Sequence, residues 1–204
     1  MARRSNTSFG KIEEWESRNL DEHMRLISMM VQRSLKDAET RQLAVKLVSG
    51  VVQWREDPRT GREVPVVQAW GHYFRAPEGA VCKARDDLCE IERIWETVAL
   101  NLRYVYDPED ADYFATVRRT FEAGGGDCDD MVIVFGSLLK AIGFKVVARV
   151  IATKKNPNEW VHTYPLVGVS KDNPRKWIPL DATVNGALPG WEYKDIAAHR
   201  DFVL

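Results

Sequence analysis

Gly124-Gly125-Gly126-Asp127-Cys128-Asp129-Asp130 runs straight into an apolar stripe of Met131, Val132, Phe135, Leu138, Leu139 and Ile142. That spacing predicts a helix beginning around Cys128, with Gly143 as its C-terminal cap. Three glycines let the backbone turn sharply and let another segment approach closely. A cysteine in the first turn of a helix feels the positive end of the dipole and the unpaired N–H groups, which favour thiolate and suit an oxyanion. Asp127, Asp129 and Asp130 act the other way, because negative charge around a thiol raises its pKa. Two readings stand at this point. One is a stabilised helix start with a small buried cysteine; the other is a nucleophile that requires a strong cationic or proton-accepting partner.

A partner lies downstream. Three strand-like segments follow the helix, Lys145–Ala152, Trp160–Val169 and Lys176–Thr183, with turns at Asn156-Pro157 and Asp172-Asn173-Pro174. Their close spacing predicts an antiparallel meander, although Pro165 and Pro179 weaken continuous pairing. His162 lies in the middle segment, where alternation puts Trp160, His162 and Tyr164 on one face and Val161 and Thr163 on the other. Trp177 and Asp181 share a face of the next segment, so a neighbouring strand places Asp181 beside His162. There the carboxylate would fix the imidazole tautomer, as the third member of a triad does.

Upstream, Leu20, Met24, Ile27, Val31 and Leu35 predict an amphipathic helix, and a second runs from an Asp37 N-cap to about Val48, stopping at Gly50. The two form an α-hairpin. Val51–Trp54 and Val64–Trp70 are β-prone around the turn cluster Asp57–Gly61, so residues 51–80 read as a loose hairpin or long loop. Leu88, Ile91, Trp95, Val98 and Leu102 predict a further helix that Pro108 ends near Tyr106. Pro108 to Asp127 has no steady period. Helices followed by a run of strands make an α+β fold. The expected organisation is a polar N-terminal arm over 1–19, the helical hairpin with its connecting hairpin or loop over 20–80, and a catalytic domain over 81–204.

Gly126–Asp130, Leu138–Phe144, His162 and Trp177–Thr183, with the lead-in Ile94-Trp95 and Arg103–Pro108, together resemble the transglutaminase-like superfamily of papain-like cysteine enzymes. The resemblance covers roughly residues 85–188. It implies a cysteine-bearing helix packed on an antiparallel sheet, with Cys128 as nucleophile, His162 as general base and acid, and Asp181 as the orienting group. Thr163-Tyr164 depart from the small residue and aromatic that often follow the histidine in that family. Some members use an upstream tryptophan as a second oxyanion donor; Trp95 is the nearest here, but its place on an apolar stripe assigns it to core packing.

The remaining candidates are weaker. Cys82 and Cys89, with six residues between them and no nearby histidine, make a poor zinc site. They read as two ordinary thiols, with a local disulfide as the alternative. His23, His72 and His199 have no partner pattern and read as surface or packing residues. Arg118-Arg119 read as part of a solvated loop, ahead of the alternatives of offsetting the acidic run or binding a substrate carboxylate.

Composition limits the function classes. The chain has 204 residues, with 29 Lys plus Arg against 30 Asp plus Glu and a formal net charge of −1, so a broad nucleic-acid binder is disfavoured. Seven Trp, seven Phe and six Tyr argue against disorder. Three cysteines are too few for a disulfide framework. No signal peptide and no membrane-spanning run is visible, which makes a soluble protein, cytoplasmic by default, the expectation. No metal and no organic cofactor is implied. The expected activity is cleavage or transfer of amide bonds in a protein or peptidoglycan peptide through a thioester acyl-enzyme. The competing expectation is a structural or assembly protein, such as a phage virion or tail component, that keeps this fold and docks to a larger assembly through the N-terminal arm.

Overall fold

The computed structural model describes residues 14–79, 81–107 and 113–204. Helix α1 (Glu14–Lys36) buries Leu20, Met24, Ile27 and Val31 along one stripe. It begins before the first apolar residue of that stripe, so residues 14–19 of the expected arm are helical; residues 1–13 lie outside the described residues. Helix α2 (Ala38–Val48) follows at once. The Asp37 carboxylate accepts the Glu39 N–H as N-cap, and Leu43, Ala44 and Leu47 face inward.

Residues 51–80 contain an antiparallel sheet in the order β1 (Gln53–Glu56), β2 (Glu63–Ala69), β3 (His72–Arg75). The third strand was not foreseen because its turn rests on an unusual residue. Trp70 and Gly71 both take positive φ, 49° and 77°, as a two-residue hairpin turn demands. Trp70 is held there by its indole N–H, which donates to Asp37 Oδ2 at 2.7 Å, and by its backbone N–H on the Glu39 carboxylate.

Helix α3 (Asp87–Asn101) buries Ile91, Ile94 and Val98, while Leu88 is exposed. It ends well before Pro108, because Leu102 turns extended and leads into the short strand β4 (Arg103–Tyr104). The aperiodic stretch that follows contains a helix too short to show a period, α4 (Val117–Ala123), with Thr116 as N-cap and Gly124 as left-handed C-cap. Arg118 and Arg119 therefore lie on a helix and not in a loop. Arg118 pairs with Glu122 one turn on, at the surface. Strand β5 (Gly125–Gly126) then pairs in parallel with β4 and delivers the chain into helix α5 (Cys128–Ala141). A Cβ on Gly125 would lie 2.4 Å from the Arg103 carbonyl oxygen, so the β4–β5 contact requires glycine.

Beyond α5, β6 (Val146–Thr153), β7 (His162–Val169), β8 (Lys176–Pro179) and β9 (Ile196–Val203) form an antiparallel sheet in the order β8-β7-β6-β9. The first three are the expected meander. Pro179 is tolerated because β8 is an edge strand. The fourth strand was missed: its inward positions are Ile196, Ala198, Arg200 and Phe202, too polar a set to read as a buried face. The α+β expectation holds.

The larger of two apolar clusters joins α1, α2, β2, β3, α3, α4, α5 and one face of the four-stranded sheet, and Ile151, Tyr164 and Leu166 form the smaller. Residues 128–139 of α5 are all buried, and Val31 of α1 crosses α5 at Gly136, where an added Cβ would come within 3.2 Å of its side chain. Arg93 is buried and donates to the carbonyls of Leu47 and Pro77, tying α2 and the end of the β-hairpin region to α3. One expectation is corrected outright: Cys82 and Cys89 form a disulfide and are not ordinary thiols. The reason is local. Asp86 caps α3 by accepting the Cys89 N–H, and the Cys82 N–H binds the Val48 carbonyl, which brings the two Cα atoms within 5.6 Å.

Candidate active site

Cys128 occupies the first position of α5. Asp127 caps the helix, its Oδ1 accepting the N–H groups of Asp129 and Asp130 at 3.0 and 3.1 Å. The Cys128 N–H is the one amide of this first turn that the Asp127 carboxylate does not take. Gly126 is required by proximity, since a Cβ there would lie 2.4 Å from Asp130 Oδ2. Asp130 in turn accepts the Ala115 N–H at 2.8 Å. All three aspartates are buried.

The electrostatic consequence anticipated from the sequence is present. Burial, then Asp129, then Asp127 push the Cys128 thiol well above its ordinary pKa, while the Thr163 backbone N–H acts in the opposite direction. Burial and the neighbouring Asp129 also push Asp127 upward. Asp130 rises to about 6, chiefly through burial. The resting sulfur is thus a neutral thiol, and Cys128 is the only free cysteine of the three in the chain.

On the sheet side, His162 is the first residue of β7. Its Nε2 meets Asp181 Oδ2 at 2.7 Å. Asp181 lies just past the end of β8, where the Leu180 N–H still donates to the Pro165 carbonyl and continues the strand pairing. The other carboxylate oxygen accepts both the Thr183 N–H at 3.0 Å and the Thr183 hydroxyl at 2.6 Å. Burial raises the Asp181 pKa, but the His162 and Thr183 bonds outweigh it and hold the carboxyl below its usual range. The Asp181 bond occupies Nε2, and among the described residues no hydrogen bond engages Nδ1. Among the described residues no hydrogen bond joins the thiol to the ring.

Two tyrosines are coupled electrostatically to the thiol. Tyr104 comes from β4, its hydroxyl pKa raised by burial and then by Cys128. Tyr193 comes from the segment before β9, where burial and then Asp181 raise it to about 12. The Tyr193 ring packs edge-on against His162 at 5.3 Å, and Trp191 packs on Tyr193 at 4.9 Å. Tyr106, which is 80% exposed, packs edge-on against Tyr104.

The structure thus brings Asp181 onto His162. Trp95 packs against the core, with its indole N–H buried and unpartnered among the described residues. His72 is exposed, 3.9 Å from Glu122. Sequence reasoning missed His23. It is buried packing with a partner and not a surface residue, because its Nε2 meets Asp129 Oδ2 at 2.8 Å with both side chains almost fully buried. A signal was available: His23 lies three residues after Leu20 and four before Ile27, which puts a titratable ring on the buried face of α1. Thr183 was also overlooked as a support for Asp181. Among the described residues no group of three or more His, Cys, Asp or Glu side chains is placed to hold a metal ion, and no helix is long and apolar enough to cross a membrane.

Residues 77–182, just over half of the chain, match the family model of the Transglutaminase-like superfamily. The chain belongs to that superfamily, whose members are commonly cysteine peptidases or acyltransferases. No curated protein matches the chain.

Proposed function

We propose that the protein is a cysteine-dependent acyl enzyme in which Cys128, His162 and Asp181 act as nucleophile, base and orienting group on an amide bond of a protein or peptidoglycan peptide. The observation that carries this reading is the part-buried His162–Asp181 pair, locked by Thr183, on the sheet packed against the helix that begins with the only free thiol. Because the resting thiol is neutral, the sulfur loses its proton as it attacks, and His162 Nδ1 takes it. The Sγ–C bond forms, and the carbonyl oxygen becomes an oxyanion for which the Cys128 N–H is the available donor. The C–N bond then breaks, with the imidazolium returning its proton to the leaving amine and a thioester remaining on Cys128. Water, deprotonated by the same ring, releases the acid and restores the thiol. An amine in place of water gives acyl transfer; hydrolysis is favoured here because water needs no acceptor site of its own. The Tyr104–Tyr106 and Trp191–Tyr193 pairs supply aromatic surface near the thiol for the substrate chain.

The test is the rate of iodoacetamide alkylation of Cys128 near neutral pH, with the Cys82–Cys89 disulfide intact so that one thiol is available. His162→Ala is expected to slow labelling on the order of 10³-fold, within the range for loss of a general base. Equal rates in the two proteins would remove the reading.

A further inference from the structure

Helix α1 lies outside the residues that match the family, yet it places His23 on the carboxylate next to the thiol. Asp129 Oδ2 meets His23 Nε2 at 2.8 Å, while Asp129 Oδ1 lies 3.9 Å from Cys128 Sγ. Asp129 therefore bridges the sulfur and a histidine 106 residues distant in sequence. Further contacts join α1 to the elements around the bridge. The Phe114 ring packs edge-on against His23 at 5.0 Å, Ser34 of α1 accepts the Val117 N–H, and Asp21 of α1 binds Arg200 of β9 at 2.7 Å. Of the charges that raise the thiol pKa, Asp129 acts most strongly. A buried carboxylate in that place requires a donor to offset it.

We infer that His23 is a positioning residue for Cys128: by donating to Asp129 it pins that carboxylate and offsets its charge, so that α1 completes the active site. The inference rests on the reading of Cys128 as the reacting thiol. His23 does not touch substrate in this scheme and acts only through Asp129. The other ionisable groups facing the thiol or Asp129 are Asp127 and Asp130 from α5, Asp181 beyond β8, Tyr104 from β4, and His162 and Tyr193 on the sheet side. A cycle through Asp129 holds all of these constant.

The experiment is the pH profile of Cys128 alkylation in the full chain. His23→Phe keeps a ring against Phe114 but drops the donor, and should move the profile about one pH unit toward alkaline, or about tenfold slower labelling at fixed pH on the rising limb. His23→Gln keeps an N–H at the reach of Nε2 and should restore most of the rate. In an Asp129→Asn background, His23→Phe should have no further effect. A shift that persists in that background, or a folded His23→Phe protein with the wild-type profile, overturns the inference. If His23→Phe fails to fold, Asp129→Asn alone probes the link from the other side and must move the profile about one unit toward acid; an unmoved profile overturns it. The same profiles in His162→Ala separate two failures, since loss of His162 dependence defeats the acyl-enzyme reading while the His23 shift is still read.

Discussion

The two sides of the site treat buried carboxylates in opposite ways. On the sheet side, one aspartate, Asp181, receives His162 on one oxygen and two Thr183 donors on the other, and is held ionised. On the helix side, three aspartates crowd the first turn of α5, and two of them, Asp127 and Asp130, are pushed toward protonation. Each side includes an Asp–His pair of nearly equal length, 2.7 and 2.8 Å. What differs is the freedom of the ring. His23 is sealed between α1 and α5, whereas His162 is partly accessible, with no hydrogen bond to its second nitrogen among the described residues. On the proposed function, these near-equal bonds serve different ends: a ring that passes a proton on one side, and a fixed brace on the other.

The largest expected effect tests the sheet side. Asp181→Asn keeps the shape but removes the charge that stabilises the imidazolium, and should cost on the order of 10³-fold in amide turnover once a substrate is found. A loss under tenfold would make the His162–Asp181 pair a structural contact. The next tests the packing of the helix side. Gly126→Ala drives a Cβ against the Asp130 side chain, with contacts at 2.4 and 2.6 Å, and should lower stability by about 3 kcal/mol in urea unfolding. Wild-type stability in that variant would mean that the acidic turn tolerates displacement.

The smallest effect concerns pH, and its sign distinguishes the two sides. Asp181 has a lowered folded pKa, so its contribution is present above the ordinary carboxylate value and lost as pH falls through the folded value. Asp130 is raised to about 6, so its contribution is present below the unfolded value of about 4 and lost as pH rises through 6. Asp127 adds to that loss at higher pH. Unfolding free energy should therefore decline from about pH 4 to pH 6, and Asp130→Asn should flatten the decline by up to about 2 kcal/mol. Identical slopes in the two proteins would show that the turn does not store protons.

Much of this arrangement was legible in the order of residues. The helix at Cys128 declares itself through an apolar stripe behind a glycine run, and the close spacing of the later segments announces the meander that sets Asp181, just past β8, beside His162 at the start of β7. What stayed hidden depends on distant contacts or on compensation. The Trp70–Gly71 turn needs Asp37 and Glu39 to hold an unusual residue at positive φ. Strand β9 hides its inward face behind Arg200. The Cys82–Cys89 bridge follows from the capping of α3 and the Val48 contact, which spacing alone does not contain. His23 and Asp129 meet only because α1 lies across α5 at Gly136. The ring was marked by its place on an apolar stripe, but its partner was not.

The total burial of α5 over residues 128–139 has a consequence for how such a protein can change. A helix enclosed by α1, α2, α3, α4 and the sheet has no free side on which substitutions can accumulate, so the part that carries the thiol is shielded from drift. On the proposed function, adaptation to new substrates is left to the segments around its N-terminal end. Tyr104, Tyr106, Trp191 and Tyr193 sit on short or irregular segments outside α5. Diversity in this scaffold would collect at that rim, and a library aimed at altered specificity belongs there.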